Sequence, residues 1–187
     1  MEVTSATFEG AVVDRSREVP VVADFWAAWC GPCRSLTPVL EERIAAREGS
    51  VELVTIDVDA NQDLAERFAV SGIPAVKAFR NGRVVSEFTG ARSAGLVDAF
   101  LDELLAPPRA DVLLAELRAS GELPDVVSLL DRDDVEGALA WIVEGVGAAA
   151  PEQRDRLREV AVALFEQLGP DHAVAATYRR RLAAALY

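Results

Sequence analysis

The chain has 187 residues, and its 31 acidic and 19 basic side chains give a formal net charge of −12 at pH 7. This balance argues against nucleic acids and anionic membranes as partners, because both present negatively charged phosphate groups to a protein surface. The length exceeds that of one small α/β domain and is too short for two large domains.

Hydrophobic patterning predicts an alternation of strands and helices over the first 105 residues, completed by a hairpin and a helix. Two apolar runs are typical of strands covered on both faces, and Asn81-Gly82 between two further runs indicates a tight hairpin. Pro38 should kink the helix that contains it. The predicted elements are a short helix after residue 7, strands at 21–26, 51–58, 75–80 and 83–88, and helices at 33–47, 62–69 and from 93.

The only two cysteines of the chain, Cys30 and Cys33, directly follow the first predicted strand. Two thiolates are too few to hold zinc, and the single histidine, His172, lies far away in sequence. A structural bridge across two residues would close too short a loop to stabilise the fold much. The spacing therefore predicts a redox-active pair and no metal site.

The two sulfurs are expected to have different roles. Cys30 lies just outside the predicted helix start, where free N–H groups and the helix dipole favour a thiolate. Cys33 lies one turn further in, is better shielded, and can attack Cys30 once a substrate is attached. Gly31 lets the loop turn tightly, and Pro32 suits the first turn of a helix. We therefore expect Cys30 to be the exposed nucleophile.

Asp24 stands in the middle of an apolar strand, where an unpaired carboxylate is unfavourable. One interpretation is a tolerated, partly hydrated core acid. The other is a buried acid with a raised pKa, which exchanges a proton with Cys33 and is protonated in a large fraction of molecules near neutral pH.

Residues 23–34, Ala-Asp-Phe-Trp-Ala-Ala-Trp-Cys-Gly-Pro-Cys-Arg, resemble the active-site segment of thioredoxin. Ser71-Gly72-Ile73-Pro74, Asn81-Gly82 and Thr89-Gly90-Ala91 resemble later landmarks of that family in the right order and spacing. The resemblance covers about residues 1–105. It implies the α/β thioredoxin fold, in which helices flank a central mixed β-sheet.

The resemblance also implies residue roles. It makes Cys30, Cys33 and Asp24 the catalytic residues, and the dithiol requires no bound cofactor. Ile73-Pro74 resembles the cis-proline loop, which in the family lies against the dithiol and offers backbone groups to an extended substrate; a proline in a plain turn is the alternative. The residues expected to contact substrate are Trp29, Gly31, Pro32, Ile73, Pro74, Gly90 and Ala91.

One residue departs from the family pattern. The family usually places a lysine near the buried acid, and this chain has Thr55 at that position. Threonine offers no compensating positive charge, so Asp24 should be harder to ionise.

The chain from about residue 109 has a helical pattern throughout. Two prolines mark a linker at 106–110, and the three longest predicted helices carry apolar stripes with a 3.6-residue period. Residues 133–139, with Pro151, resemble one tetratricopeptide-type unit, and 168–182 resemble the C-terminus of YbbN-like co-chaperones, or chaperedoxins. We expect an all-α, tetratricopeptide-like domain at 111–187 after a thioredoxin domain at 1–105. Its helices should pack on one another or on the first domain.

The start of the chain gives an expectation about location. Residues 1–8 lack the positive charge and the apolar stretch of a signal peptide, and no run approaches the roughly 18 apolar residues of a membrane span. No other cysteine is available for a disulfide framework. We therefore expect a cytoplasmic protein whose cysteines rest as a dithiol.

Three functional hypotheses follow. The first is an enzyme of the protein-disulfide reductase type, which maintains cell redox homeostasis and receives electrons from a thioredoxin-reductase-type partner. The second is a chaperedoxin-type holdase or co-chaperone that binds unfolded or oxidised client proteins through its helical tail. The third is a structural subunit with an unused dithiol. It would not explain why Asp24, Pro74 and Gly90 occur together with the two cysteines.

Overall fold

The structure is a computed structural model that describes residues 1–170 and 172–186. The chain divides into two compact units, Met1–Ala106 and Pro107–Tyr187. Among the described residues, no helix is both long enough and apolar enough to cross a membrane.

The first unit is built around a mixed β-sheet, which confirms the expected fold class. The strands of this sheet are β1 (Val21–Trp26), β2 (Glu52–Asp57), β3 (Ala75–Arg80) and β4 (Arg83–Thr89). Within the described residues their order is β2-β1-β3-β4, with β1 and β2 parallel and the other neighbours antiparallel. The β3–β4 turn is the predicted hairpin. Asn81 and Gly82 have φ values of 53° and 78°, as the tight turn requires.

Helices cover both faces of the sheet, which explains why β1 is almost entirely apolar. The helices are α1 (Gly31–Ala45), which continues through Pro38, α2 (Gln62–Arg67) and α3 (Ala94–Leu105), preceded by a π-helix (Glu9–Asp14) and a 3₁₀ turn (Arg15–Arg17). Val22 packs in the core with α1 and α3, whereas Val21 and Phe25 pack in the core with α2 and the N-terminal helix. Successive side chains of β1 are therefore buried on opposite faces.

The second unit is helical over its described residues apart from the connecting loops. Its helices are α4 (Arg109–Ser120), α5 (Pro124–Leu130), α6 (Val135–Val146), α7 (Pro151–Leu168) and α8 (Ala173–Leu186). α6, α7 and α8 are the three helices that the apolar stripes predict, and α6 packs against both of the others. All five helices, α4 to α8, share one core. They contribute to it, among others, Leu117, Val126, Ile142, Leu164 and Leu182.

Polar side chains stabilise the helix ends of this unit. The Asp134 carboxylate accepts a hydrogen bond from a backbone N–H in the first turn of α6 (2.8 Å). Arg154 donates to the Val146 carbonyl near the end of α6, and Arg179 donates to the Phe165 carbonyl near the end of α7. Each cation also lies at the negative end of a helix dipole, which it stabilises.

A substitution that creates a cavity in the core of the second unit tests the division into two units. Ile142 is fully buried in the second unit, so Ile142→Ala should lower the free energy of unfolding of that unit by about 2–5 kcal/mol. Hydrogen exchange measured residue by residue should show faster opening in α4 to α8 and unchanged protection in β1 and β3. Val112→Ala, at an exposed apolar position of the same unit, is the control. Equal loss of protection in both units would contradict the division.

Candidate redox-active site

The disulfide lies where β1 is followed by α1. Cys30 directly precedes α1, and its sulfur accepts a hydrogen bond from the backbone N–H of Cys33 (3.2 Å). Pro32 occupies the first turn of the helix, where its missing N–H removes no helical hydrogen bond. The sulfurs of Cys30 and Cys33 are bonded to each other, and their Cα atoms are 5.3 Å apart. In the reduced protein, the helix dipole and the N–H groups of this first turn favour a thiolate at Cys30.

Cys30 is more enclosed than the sequence predicts, whereas Cys33 is shielded as expected. Cys30 exposes 3% of its surface and Cys33 exposes 1%, and the structure contains the disulfide rather than the dithiol. Cys30 is thus itself buried in the disulfide form, and its greater exposure in the reduced protein stays a prediction. The reason is apolar packing: the pair clusters with Ala27, and the side chains packed against this cluster are those of Trp26, Val58 and Ile73.

Asp24 lies in the middle of β1 with 0% of its surface exposed. The hydroxyl of Thr37, on α1, donates a hydrogen bond to Oδ2 of Asp24 (2.7 Å). Oδ1 is also buried and accepts no hydrogen bond within the described residues. Burial raises the pKa of Asp24 from 3.8 to about 6, against the opposing effect of the Thr37 hydrogen bond, and the Glu41 carboxylate contributes a further rise. The direction agrees with the interpretation of Asp24 as a buried acid.

The size of this pKa rise differs from the sequence-based expectation. With a pKa of about 6, the ionised form of Asp24 predominates at pH 7 by about ten to one. The hydrogen bond from Thr37, which the sequence analysis missed, favours that ionised form. Thr37 lies four residues after Cys33 and therefore on the same face of α1. A polar residue four positions after Cys33 is the sequence signal that could have identified Thr37 as a site residue.

The position expected to carry a cation is occupied by Thr55. In the parallel register of β1 and β2, Thr55 is the direct partner of Asp24. Lys77, the only lysine of the chain, is the β3 partner of Ala23, and its ammonium group pairs with the carboxylate of Glu87. Because side chains alternate between the faces of a sheet, Lys77 does not replace the missing cation.

A groove of about 620 Å³ adjoins the disulfide cluster. Trp29, which is 68% exposed, lines this groove, and its indole N–H donates to Oδ2 of Asp59 (2.8 Å). Val58 lines the groove and also packs against the cysteines. Val58 and Asp59 follow β2 directly, and the carboxyl ends of parallel strands meet at the same edge of a sheet. Neither residue is among the predicted site residues, although this strand pairing would have located them.

The residues expected to contact substrate are only partly brought together. Trp29 and Ile73 both line the groove. The Ile73–Pro74 peptide bond is cis, and the Pro74 carbonyl accepts a hydrogen bond from the N–H of Gly90 (2.8 Å), which joins this loop to the end of β4. The other expected contacts, all of them described residues, do not line the groove: Gly31, Pro32, Pro74, Gly90 and Ala91.

A mixed sheet with a Cys-x-x-Cys disulfide at a helix start and a cis-proline loop beside it defines a class of α/β proteins. Residues 1–103 match the family model for thioredoxin, which is more than half of the chain. The chain therefore belongs to the thioredoxin family. In the second unit, residues 126–187 match a family model for the tetratricopeptide repeat.

Individual relatives match about half of this chain. The chain is 46% identical over 88 residues to a probable thioredoxin-2 of Caenorhabditis elegans, a match to 47% of this chain and 61% of that protein. It is 43% identical over 98 residues to the mitochondrial thioredoxin of Mus musculus (52% of this chain, 58% of that protein). It is 38% identical over 102 residues to thioredoxin of Pseudomonas aeruginosa (54% and 93%). The chain thus spans about three fifths of the worm and mouse proteins.

The raised pKa of Asp24 predicts a pH-dependent effect on stability. Well below pH 4 the carboxyl is neutral in the folded and the unfolded chain, so it has no effect there. Between about pH 4 and pH 6 the unfolded chain ionises first, and the folded state loses stability as the pH rises. Above about pH 6 the loss is complete, at about 3 kcal/mol for a rise from 3.8 to about 6.

Asp24→Asn should therefore stabilise the fold, by an amount that grows from near zero at pH 3.5 to about 3 kcal/mol at pH 8. Urea unfolding of the disulfide form at a series of pH values measures this difference. Glu103→Gln, which makes the same chemical change at an exposed position of α3, is the matched control. A difference that stays constant over the whole pH range would contradict the assignment of a raised pKa to Asp24.

Proposed function

We propose that the protein is a thiol–disulfide oxidoreductase that reduces disulfides of other proteins in the cytoplasm and so maintains redox homeostasis. The observation that carries this proposal is the disulfide that joins the residue before α1 to the first turn of that helix, beside an open groove. Membership of the thioredoxin family supports it, as do relatives whose names contain thioredoxin.

The first half of the reaction uses Cys30. In the reduced protein its thiolate, favoured by the helix N-terminus, attacks one sulfur of a client disulfide. A bond forms between Cys30 Sγ and that sulfur, and the client's disulfide bond breaks. The other client sulfur leaves as a thiolate and takes a proton from solvent. The product is a mixed disulfide between Cys30 and the client.

The second half uses Cys33 and Asp24. The Asp24 carboxylate accepts the proton of the Cys33 thiol, which turns Cys33 into a nucleophile. The Cys33 thiolate attacks Cys30 Sγ, the bond to the client breaks, and the second client sulfur leaves as a thiolate that is then protonated. The two thiols supply both electrons, so the reaction requires no bound cofactor. A thioredoxin-reductase-type partner would return two electrons to the disulfide.

The groove is the proposed binding site for an extended segment of the client. Its lining by Trp29 and Ile73 provides an apolar surface next to the cysteines. The burial of Cys30 in the disulfide form fits a site that encloses the sulfur atoms and excludes water from the exchange. The further proposed contacts are Gly31 and Pro32, which follow Cys30 in sequence, Pro74 of the cis-proline loop, and Gly90 and Ala91 after β4, where Gly90 donates a hydrogen bond to the Pro74 carbonyl.

Trapping a client tests the two cysteine roles. Cys33→Ser should accumulate a mixed disulfide with an oxidised client such as insulin, because Cys30 can attack but nothing can displace the client. Cys30→Ser should trap little, since the helix N-terminus favours the thiolate at Cys30, the residue that directly precedes α1. Mass spectrometry of the intact adduct identifies the cysteine involved. Trapping by Cys30→Ser alone would reverse the assignment.

A second candidate function is that of a holdase or co-chaperone for unfolded or oxidised proteins. The observation in its favour is the tetratricopeptide repeat match of residues 126–187, together with the independent helical core of that unit. Repeat arrays usually need several units to form a binding surface. This candidate would use the helical unit to hold a client while the dithiol acts on it.

An aggregation assay separates the two functions. If the helical unit holds clients, Cys30→Ser should still suppress the aggregation of a heat-denatured client and should have lost disulfide reduction with a thioredoxin reductase present. Wild-type protein that reduces insulin but leaves client aggregation unchanged would support the oxidoreductase alone.

A further inference from the structure

The buried carboxyl of Asp24 needs a compensating partner, because an unpaired carboxylate in a core is strongly unfavourable. Its strand neighbours provide none: Thr55 on β2 and Val76 on β3 are its register partners, and both are uncharged. Among the described residues, the partner of this carboxyl is the hydroxyl of Thr37, 2.7 Å from Oδ2.

The geometry of Thr37 is unusual for its place in a helix. A threonine inside a helix commonly turns its hydroxyl back to the carbonyl three or four residues earlier. The Thr37 hydroxyl instead donates across to β1. Side chains four residues apart lie one above the other on a helix, so Thr37 and Cys33 share the face of α1 that is turned toward Asp24.

The two oxygens of Asp24 therefore differ. Oδ2 accepts the hydrogen bond from Thr37, whereas Oδ1 is equally buried and accepts none within the described residues. An oxygen without a donor is the one that can take up a proton without first breaking a hydrogen bond.

We propose that Thr37 is a positioning residue for the proton transfer, which holds Asp24 through Oδ2 and leaves Oδ1 to exchange the proton with Cys33. This inference deepens the proposed oxidoreductase function and rests on it. The proton leaves Cys33 Sγ and binds Oδ1 as the Cys33 thiolate forms. It returns to solvent or to the departing client thiolate after the Cys30–Cys33 disulfide has closed. Thr37 keeps its own proton throughout and takes the place of a cation as the group that favours the carboxylate.

The charged groups around Asp24 support this role. On α1 the charged neighbour is Glu41, which disfavours the carboxylate. β2 places Thr55 beside Asp24, and β3 places Val76 there. The acids of the packed helix α3 that face α1, Asp98 and Asp102, form ion pairs with arginines of α1 and of the loop after it. The hydrogen bond from Thr37 is the one contribution that lowers the pKa of Asp24.

The first test is a carbon-13 NMR titration of the Asp24 carboxyl in the reduced and oxidised full-length protein. Thr37→Val removes the hydroxyl with little change of volume and should raise the Asp24 pKa by about one unit or more. Thr37→Ser keeps the hydroxyl and should stay close to wild type. Ser35→Ala, which removes a hydroxyl from an exposed position of the same helix, should change nothing.

A second variant supplies a rescue. Thr55→Lys places a cation beside Asp24 in the β1–β2 register, so adding it to Thr37→Val should bring the Asp24 pKa back down. If Thr37→Val does not fold, two measurements still test the proposal: the Asp24 titration in Thr37→Ala, and the NMR titration of the Thr37 resonances in the wild-type protein. Those resonances should shift with the midpoint of Asp24.

The second test separates the two chemical steps. Reduced protein mixed with a small aromatic disulfide in a stopped-flow instrument releases one thiol when Cys30 attacks and a second when Cys33 attacks. Thr37→Val should slow the second release about fivefold at pH 6 and less than twofold at pH 8, because the fraction of ionised Asp24 falls. The first release should be unchanged.

The outcomes distinguish the inference from the function on which it rests. A wild-type protein that fails to reduce insulin would refute the proposed function, while the NMR titrations would still measure whether Thr37 sets the Asp24 pKa. An unchanged pKa in Thr37→Val, or equal slowing of both thiol releases, would overturn the role of Thr37 even in an active enzyme.

Discussion

The constraint on which the first unit depends is the burial of a carboxyl group in a strand that is covered on both faces. β1 lies between β2 and β3, and both faces of the sheet are packed with helices, so Asp24 has 0% of its surface exposed. Most proteins would place an apolar residue there. Here the core accepts a group that destabilises it near neutral pH, and a single hydroxyl on α1 offsets part of that cost. Such an arrangement is typical of sites where function, rather than stability, selects the residue.

The sequence contains enough information for the sheet and for the identity of the reactive pair. The apolar run of β1, the Asn81-Gly82 turn and the Cys-x-x-Cys spacing are local patterns, and each predicts its element without knowledge of the rest of the chain. Thr37, Val58 and Asp59 could not be assigned in this way. Their importance depends on the rotation of α1 above β1 and on the pairing of two strands about 30 residues apart, and neither is encoded in a short window. The same limit explains Cys30, which a helix-start argument makes exposed and tertiary packing encloses.

The disulfide and the groove beside it lie where several elements end. β1 and β2 both finish at the edge where α1 begins, and the cis-proline loop reaches that edge from the start of β3. Each element contributes one or two residues, and the positions of these residues are fixed by a sheet that is rigid because both of its faces are packed. The helical unit has a separate core, built from α4 to α8.

The pairing of Lys77 with Glu87 has a practical consequence for the chemistry of the surface. Lys77 is the only lysine in the sequence, 8% exposed and held in an ion pair on the sheet. Side-chain acylation, ubiquitin attachment to a lysine and lysine-directed cross-linking all require a lysine amine, in its neutral form, that a reagent or an enzyme can reach. The positive charge of this protein is otherwise carried by arginine, which does not undergo these reactions. The folded chain should therefore be almost inert to lysine-directed modification, and its side-chain chemistry is concentrated in one pair of sulfur atoms.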